Sequence, residues 1–192
     1  MTQNSIAISK YLSYALRHGA ASEHYSIDTE GFIPVNEIIQ KKGFTLNQIR
    51  NVVNTNDKQR FFMKEENGQY YIRANQGHTL KTVSDLELKP IVDPNVIPVA
   101  LHGTNTASWE VIKVKGLSRM ERNHIHLASG EYGEEGVISG VRKSARVMIY
   151  IDTAKAIADG MKFFLSTNGV ILTEGFNGVI PPEFFSKVHI SS

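Results

Sequence analysis

The sequence has no cysteine, which excludes disulfides, thiolate nucleophiles and cysteine-ligated zinc sites. It also has no apolar run near the roughly 18 residues that a membrane helix needs. Residues 1–9 lack the long apolar core of a signal peptide. We therefore expect a soluble, intracellular, cytoplasmic protein that makes no membrane contact. Nothing in the sequence indicates its oligomeric state.

A strong excess of one charge sign is absent as well. Lys and Arg total 21 against 19 for Asp and Glu, a net charge of +2, which is too small to indicate a nucleic-acid binder by itself. Any basic surface must therefore come from local clustering. Hydrophobic residues make up 41% of the 192 residues, which is enough for the cores of one large domain or two small lobes.

The first part of the chain, 1–83, predicts three helices followed by a β-hairpin. The first helix has an apolar face at helical spacing and is expected to end at Gly19. The second spans Val35–Lys42 with Gly43 as its stop, and the third begins after Thr45 as N-cap. Strands over 60–64 and 69–74 flank Asn67-Gly68, a strong hairpin signal. This order is typical of a winged-helix lobe. The apolar face of the first helix is formed by Ile8, Tyr11, Leu12, Ala15 and Leu16.

The remainder of the chain has a different pattern. The proline-containing segment 84–98 is predicted to be a linker. Residues 99–192 predict a strand-rich lobe with two small helices, Ser108–Lys115 capped by Ser108 and Thr153–Ala158 ended by Gly160. The whole chain is therefore expected to be α+β. The predicted strands of the second lobe are Val99–His102, His124–Ala128, Arg146–Ile151, Lys162–Leu165 and Gly169–Leu172.

Four polar clusters can carry chemistry. They comprise 17–19, 56–61, 73–78, and a split cluster formed by 102–104 and 122–127. Each also has an ordinary structural interpretation, such as a solvated helix end for 17–19 or a surface loop for 73–78. Together they supply four Arg and five of the seven His but one acidic residue, Asp57. Because guanidinium groups bind phosphate oxygens in pairs, the composition indicates a phosphate-handling or nucleic-acid site.

A metal site is the alternative for the split cluster. His124 and His126 would point to the same face of a strand, and two such imidazoles can ligate zinc. No obvious carboxylate or thiolate completes the set, so we expect no metal. A buried core histidine is the other interpretation of each.

At these same residues the sequence resembles the RNA 2′-phosphotransferase family, known as Tpt1 in fungi and KptA in bacteria. The resemblance extends over nearly the whole chain, and it rests on seven stretches in the family's order, since each alone is weak. The stretches are Leu12-Ser13-Tyr14-Ala15-Leu16-Arg17-His18-Gly19, Asn56-Asp57-Lys58-Gln59-Arg60-Phe61, Arg73-Ala74-Asn75-Gln76-Gly77-His78, His102-Gly103-Thr104, Arg122-Asn123-His124-Ile125-His126-Leu127, Gly140-Val141-Arg142 and Ser166-Thr167-Asn168-Gly169-Val170.

The resemblance implies a winged-helix lobe joined to a lobe of the NAD-dependent ADP-ribosyltransferase type, and a two-step reaction. An RNA 2′-phosphate first displaces nicotinamide from NAD⁺, which is consumed, to give RNA-2′-phospho-ADP-ribose. The ribose 2″-hydroxyl then attacks the phosphorus. The products are 2′-OH RNA, ADP-ribose 1″,2″-cyclic phosphate and nicotinamide. RNA bearing a 2′-phosphate, with tRNA expected, is the implied partner.

The resemblance also implies the site residues. The catalytic set is Arg17, His18, Arg60 and Arg122, with the arginines on the phosphate and His18 either transferring a proton or orienting the 2″-hydroxyl. With three of these in the first lobe and one in the second, the reaction is expected in the cleft between them. The NAD⁺ pocket is expected at His102, Gly103, Thr104, His126 and Val170. The first three match the strand that holds the adenosine-side ribose in this superfamily. His126 stands where many relatives carry a Tyr that stacks on nicotinamide, and Val170 stands where many ADP-ribosyltransferases carry a catalytic Glu. Further site-lining candidates are Asn75, Gln76, Gly77, His78 and Arg142.

Two rival functions stay open at this point. An ADP-ribosyltransferase acting on terminal nucleic-acid phosphates would share the first step and stop there. A non-catalytic module that binds RNA or ADP-ribose would need none of the four catalytic residues, all of which are present.

Overall fold

The computed structural model describes residues 3–134, 137 and 141–191. The chain divides into two compact units, Met1–Glu87 and Leu88–Ser192, each with its own apolar core. Both units combine helices with β-strands, so the expected mixture of α and β structure is confirmed. Within the described residues, no helix has the length and apolar character needed to cross a membrane.

The first unit, unit 1, packs three helices against a small antiparallel sheet with strand order β1-β3-β2. Its core is formed by apolar side chains such as Leu12, Ile38, Ile49 and Ile72, all at 0% exposure. The elements in chain order are α1 Gln3–Tyr14, a π-helical turn Ala15–Gly19, β1 Ile33–Pro34, α2 Val35–Lys42, α3 Leu46–Asn54, β2 Phe61–Glu66 and β3 Gln69–Ala74.

Local sequence signals account for most of unit 1. Gly43 ends α2 in the left-handed conformation, with φ 69° and its N–H donating to the Ile39 carbonyl, as predicted. Thr45 caps α3 through a capping box with Gln48. The hairpin turn also forms as expected, because Asn67 and Gly68 both have positive φ, 52° and 75°, which a type I′ turn requires.

The end of the first helix differs from the prediction. Gly19 does not stop the helix in a left-handed conformation; the chain instead widens into the π-helical turn, and Ala20 after it is still right-handed. A Cβ at Gly19 would lie 2.5 Å from the Tyr14 ring, so the glycine makes room for a side chain one turn earlier. Short π-helical segments occur often at functional sites, and this one carries Arg17 and His18.

The second unit, unit 2, contains a four-stranded sheet, β4-β9-β10-β7, and a three-stranded sheet, β12-β8-β5, with β11-β6 as a small ribbon. Apolar residues from both larger sheets, including Leu127, Ile149 and Ile171, form its main core. The elements are β4 Lys89–Ile91, a 3-10 turn Pro94–Val96, β5 Leu101–Thr104, α4 Thr106–Lys115, β6 Leu117–Ser118, β7 Ile125–Leu127, β8 Val147–Ile151, α5 Thr153–Ala158, β9 Phe163–Leu165, β10 Ile171–Thr173, β11 Val179–Ile180, a 3-10 turn Pro182–Phe184 and β12 Phe185–Ile190.

Several predicted details in unit 2 need correction. The cap of α4 is Asn105, whose side chain accepts from the Ser108 N–H, so Ser108 lies inside the helix. Strand β5 begins two residues later than predicted and runs to Thr104. Within the segment predicted as a linker, 84–98, Lys89–Ile91 forms β4 and pairs with β9. Pro90 concealed this strand in the sequence, because proline disfavours strands in general. It is tolerated in β4 because β4 lies at the edge of its sheet.

Candidate functional site

The π-helical turn presents the first part of the candidate site. Arg17 is half-buried and His18 is exposed, and both lie at the turn that follows α1. The widened turn leaves the Arg17 carbonyl available to a distant segment, and the N–H of Thr79 donates to it at 2.9 Å. Residues 15–19 and 75–79 are therefore joined side by side.

Arg60 is held in place by the side-chain amide of a buried residue, Asn56. The Oδ1 of Asn56, which is 3% exposed, accepts from the Arg60 backbone N–H at 3.1 Å and from its Nη1 at 3.4 Å. Asn56 thus determines where both the backbone and the guanidinium of Arg60 lie. The remaining guanidinium N–H groups stay available for an anion.

The segment that follows β3 connects the two arginines. The Asn75 N–H donates to the Arg60 carbonyl at 2.9 Å. Two residues later, a Cβ at Gly77 would lie 3.3 Å from the Arg17 Nε. Gly77 also has φ +92°, so both its conformation and its close approach to the guanidinium favour glycine. The structure therefore brings Arg17, His18, Arg60, Asn75 and Gly77 into one neighbourhood, which we call the arginine cluster.

Asn75 contributes an acceptor to this cluster. Its Nδ2 donates to the Gln59 carbonyl at 2.6 Å; because a carbonyl oxygen only accepts, this contact fixes the orientation of the amide. The side chain is 7% exposed, and among the described residues its Oδ1 has no hydrogen-bond partner. An unsatisfied buried acceptor costs about 1–3 kcal/mol, so Asn75 is suited to receive a ligand's hydroxyl or amine.

Two further predicted site residues in the segment 73–78 are also buried. Gln76 is 8% exposed and His78 is 1% exposed. A Cβ at Gly31 would lie 3.2 Å from the His78 Nε2 and 3.3 Å from Val83, so the imidazole packs beneath that loop. This placement is that of a core histidine.

In unit 2, the edge of strand β5 that faces away from β8 is paired at Leu101, which exchanges both backbone hydrogen bonds with Ala128. The carbonyls of Ala100 and Thr104 accept from the N–H groups of Ile151 and Arg146, so even-numbered residues direct their backbone groups toward β8. Gly103 consequently directs its N–H and C=O to the opposite edge. A Cβ there would lie 2.8 Å from Val141 and 3.0 Å from Ala145. The absence of a side chain at Gly103 therefore leaves a small space beside its backbone, which a Cβ would fill.

His102 lies on the same strand. Its Nδ1 is 3.3 Å from the His126 carbonyl, and since the carbonyl only accepts, Nδ1 carries the proton. Burial lowers the pKa of His102, and the nearby charges of Arg122 and Arg142 lower it further, while the bond to the His126 carbonyl acts in the opposite direction. The imidazole is therefore neutral at neutral pH, with Nε2 as an acceptor.

Arg122 and Arg142 form a second concentration of positive charge. Partial desolvation lowers the pKa of Arg122, and the charge of Arg142 lowers it further. Neither arginine forms an ion pair with a carboxylate in the part of the chain that the structure describes. Two cations without a neutralising carboxylate in that part of the chain suit the binding of an anion. Gly140, the first residue of the motif that contains Arg142, lies outside the described residues.

Three other residues of unit 2 that the sequence singled out are His126, Val170 and His124. His126 is in β7 and its Nε2 is buried. Val170 is 1% exposed, and its N–H and C=O both bond to the Ser166 hydroxyl, so it belongs to the wall of the core. The His124 ring contacts Phe164 edge-on at 6.3 Å. In residues 3–134, 137 and 141–191, no group of three or more His, Asp or Glu side chains is arranged to hold a metal ion.

Two positions were missed from the sequence. Thr79 bonds to both Arg17 and His18, yet the only signal was a hydroxyl directly after the 73–78 cluster. Asn56 supports Arg60, and its place in the motif 56–61 marked it without indicating that it is buried.

The pKa of His102 predicts a pH dependence of stability. Because the folded-state pKa lies below the ordinary value of about 6.5, the unfolded chain binds the proton more tightly. The His102 contribution to stability is therefore complete above about pH 6.5 and is lost as the pH falls below it. We expect the free energy of unfolding from urea titrations to fall less between pH 7 and pH 5 in His102→Gln than in the original chain. The matched control is His189→Gln, at an exposed position; equal slopes in all three proteins would contradict the prediction.

Comparison with known proteins places these residues in a family context. Residues 3–175 match the model of the family described as RNA 2′-phosphotransferase, Tpt1 / KptA family. The chain is 48% identical over 186 residues to a protein of Schizosaccharomyces pombe, covering 95% of this chain and 51% of that one. It is 45% identical over 190 residues to mouse tRNA 2′-phosphotransferase 1, covering 95% and 76%. It is 38% identical over 197 residues to the tRNA 2′-phosphotransferase of Saccharomyces cerevisiae, covering 97% and 84%. The chain thus spans about half the length of the first of these relatives.

Proposed function

We propose that this chain, which belongs to the RNA 2′-phosphotransferase, Tpt1/KptA family, is an NAD⁺-dependent enzyme that removes an internal 2′-phosphate from RNA. In the proposed reaction the 2′-phosphate displaces nicotinamide, and the ribose 2″-hydroxyl then attacks the phosphorus to release 2′-OH RNA and ADP-ribose 1″,2″-cyclic phosphate. Mouse and yeast relatives are named tRNA 2′-phosphotransferases, which supports tRNA as the physiological substrate.

The observation that carries the proposal is the arginine cluster. Two guanidiniums, the backbone of a glycine and an exposed imidazole lie around one short segment. In phosphoryl transfer the protein contributes mainly positioning and charge stabilisation, which is what such donors supply. We assign the phosphate to Arg17 and Arg60 and the handling of the 2″-hydroxyl to His18, and we keep Arg122 in the proposed catalytic set.

We assign the β5 residues of unit 2 to the nicotinamide and its ribose, in place of the adenosine-side ribose that the family resemblance implied for this strand. NAD⁺ supplies the anomeric carbon that the phosphate attacks and a neutral leaving group. The outward N–H and C=O of Gly103 form a donor–acceptor pair that matches a carboxamide, and the missing Cβ gives it room. The neutral Nε2 of His102 can accept from a ribose hydroxyl, with Thr104 beside it. We further assign His126 to the nicotinamide ring and Arg142 to an anionic group of either substrate.

A nonpolar residue at the position of Val170 suits this chemistry. Val170 is buried, and its side chain is a hydrocarbon without a carboxylate. A carboxylate beside the reacting carbon would repel an incoming phosphate dianion. For the same reason, the neutral side chain of Asn75 suits phosphate binding at the arginine cluster better than a carboxylate would.

The topology of each unit is consistent with the finer fold that we propose. Unit 1 has three helices, a hairpin and a short third strand on β3, the order of a winged-helix domain. Unit 2 has a three-stranded and a four-stranded sheet that share one core, which suits an ADP-ribosyltransferase-like domain.

The test is incubation of the full chain with NAD⁺ and an oligoribonucleotide that carries one internal 2′-phosphate. We expect release of nicotinamide, ADP-ribose cyclic phosphate and 2′-OH RNA in equal amounts. The matched control is the same oligonucleotide without the 2′-phosphate, which should release none of them. A stable ADP-ribosylated RNA without cyclic phosphate would identify an ADP-ribosyltransferase instead, and absence of nicotinamide would leave a binding module.

A further inference from the structure

Thr79 contacts both members of the Arg17-His18 pair. Its backbone N–H donates to the Arg17 carbonyl at 2.9 Å. Its hydroxyl oxygen lies 3.0 Å from the His18 Nδ1 and 3.4 Å from the same carbonyl. Thr79 is 61 residues from His18 in the sequence, so the contact comes from the tertiary fold and not from the helix that carries His18.

The donors and acceptors at this point favour one arrangement. A threonine hydroxyl has one proton, and a carbonyl oxygen can accept from two donors. If the hydroxyl donates to the Arg17 carbonyl, its own lone pair accepts from Nδ1–H of His18. In the opposite arrangement the hydroxyl donates to a bare Nδ1, and its one proton is then withdrawn from the Arg17 carbonyl at the end of the helix.

We propose that Thr79 is a positioning residue that holds neutral His18 in the Nδ1–H tautomer, so that the Nε2 lone pair is presented as a proton acceptor. This step rests on the proposed function. As the 2″-oxygen forms its bond to phosphorus, its proton moves to Nε2; as the bond from phosphorus to the RNA 2′-oxygen breaks, Nε2 returns the proton to that oxygen. No further reactant is needed, and the imidazole ends as it began.

This assignment decides between the two roles considered for His18. An imidazole that only oriented the hydroxyl could serve in either tautomer. An imidazole that takes the proton through Nε2 needs Nδ1 to be protonated, and a fixed partner at Nδ1 is the usual means of holding that form.

The direct test reads the tautomer without any activity. In the ¹⁵N-labelled full chain, long-range ¹H–¹⁵N correlation spectra recorded at alkaline pH distinguish Nδ1–H from Nε2–H. We expect mainly Nδ1–H in the original chain and in Thr79→Ser, and a shift toward Nε2–H in Thr79→Val, which keeps the shape and removes the hydroxyl. Thr79→Ala serves as a second hydroxyl-free variant if valine impairs folding. An unchanged tautomer in the hydroxyl-free variant would overturn the proposal.

The kinetic test separates positioning from general stability. In single turnover we expect Thr79→Val to slow the second step roughly tenfold or more, since general acid–base catalysis contributes about 10²–10⁴, with the first step little changed. Thr79→Ser should restore the rate. Thr55→Val, which removes a hydroxyl that donates to the Asn51 carbonyl at a helix end, is the matched control and should leave both steps unchanged.

The two tests fail in different ways. If the original chain does not act on a 2′-phosphorylated RNA, the proposed function fails, while the tautomer measurement still reports on Thr79. If the chain is active and Thr79→Val slows neither step, or slows both equally, the positioning role is overturned and the proposed function stands.

Discussion

Arg60→Ala is expected to leave the ADP-ribosylated RNA intermediate as the main species late in a single turnover. In the first step the attacking phosphate is already an anion, so the protein contributes mostly alignment. In the second step negative charge builds on the phosphoryl group, and Arg60, steadied by Asn56, is placed to stabilise it. Loss of one such donor typically slows a reaction about 10²–10³-fold. Gel separation of labelled RNA gives the two rate constants.

Two variants define the specificity of this result. Arg60→Lys keeps the charge but loses the planar fork, and it should recover only part of the second-step rate. Arg50→Ala removes a guanidinium of the same unit that packs over the Tyr70 ring at 4.4 Å, and it should behave like the original chain. Equal slowing of both steps by Arg60→Ala would show that the residue serves binding alone.

Arg122→Ala is expected to reduce turnover on the order of 10²–10³-fold without lowering the stability of the fold. Desolvation and the charge of Arg142 both lower the pKa of Arg122, and because both side chains are exposed, solvent keeps the resulting penalty on the positive charge small. Removal relieves that repulsion, so the free energy of unfolding should stay the same or rise. A gain in stability on loss of function is typical of functional sites. Turnover and urea denaturation measure the two quantities.

The controls for Arg122 use neighbouring cations. Lys143→Ala removes an exposed charge one residue after Arg142 and should change neither turnover nor stability. Arg122→Lys should be as stable as the original chain and intermediate in activity, because an ammonium group cannot bind two phosphate oxygens in parallel. A clear loss of stability in Arg122→Ala would show a structural role and remove the residue from the proposed catalytic set.

Local elements were predictable because their signals are local. The Gly43 helix stop, the Thr45 N-cap and the Asn67-Gly68 turn act over a few residues, and each appears where the sequence predicted it. Elements that depend on distant partners were missed. The six-residue strand β12, Phe185–Ile190, has a burial pattern that does not alternate, and it is a strand because β8 pairs with it.

The same distinction between local signals and distant contacts applies to the candidate site. The sequence by itself determined the residue types of the site: no cysteine, few acids, and arginines with histidines in motifs that resemble one family, since composition and short motifs do not depend on the fold. Only the tertiary structure decided which groups meet. It brought Thr79 into contact with His18 across 61 residues and buried His78 beneath Gly31. It also directed the Gly103 backbone to the edge of β5 that faces away from β8. Hydrogen bonds and burial between distant segments arise from chain packing, and no local pattern encodes them.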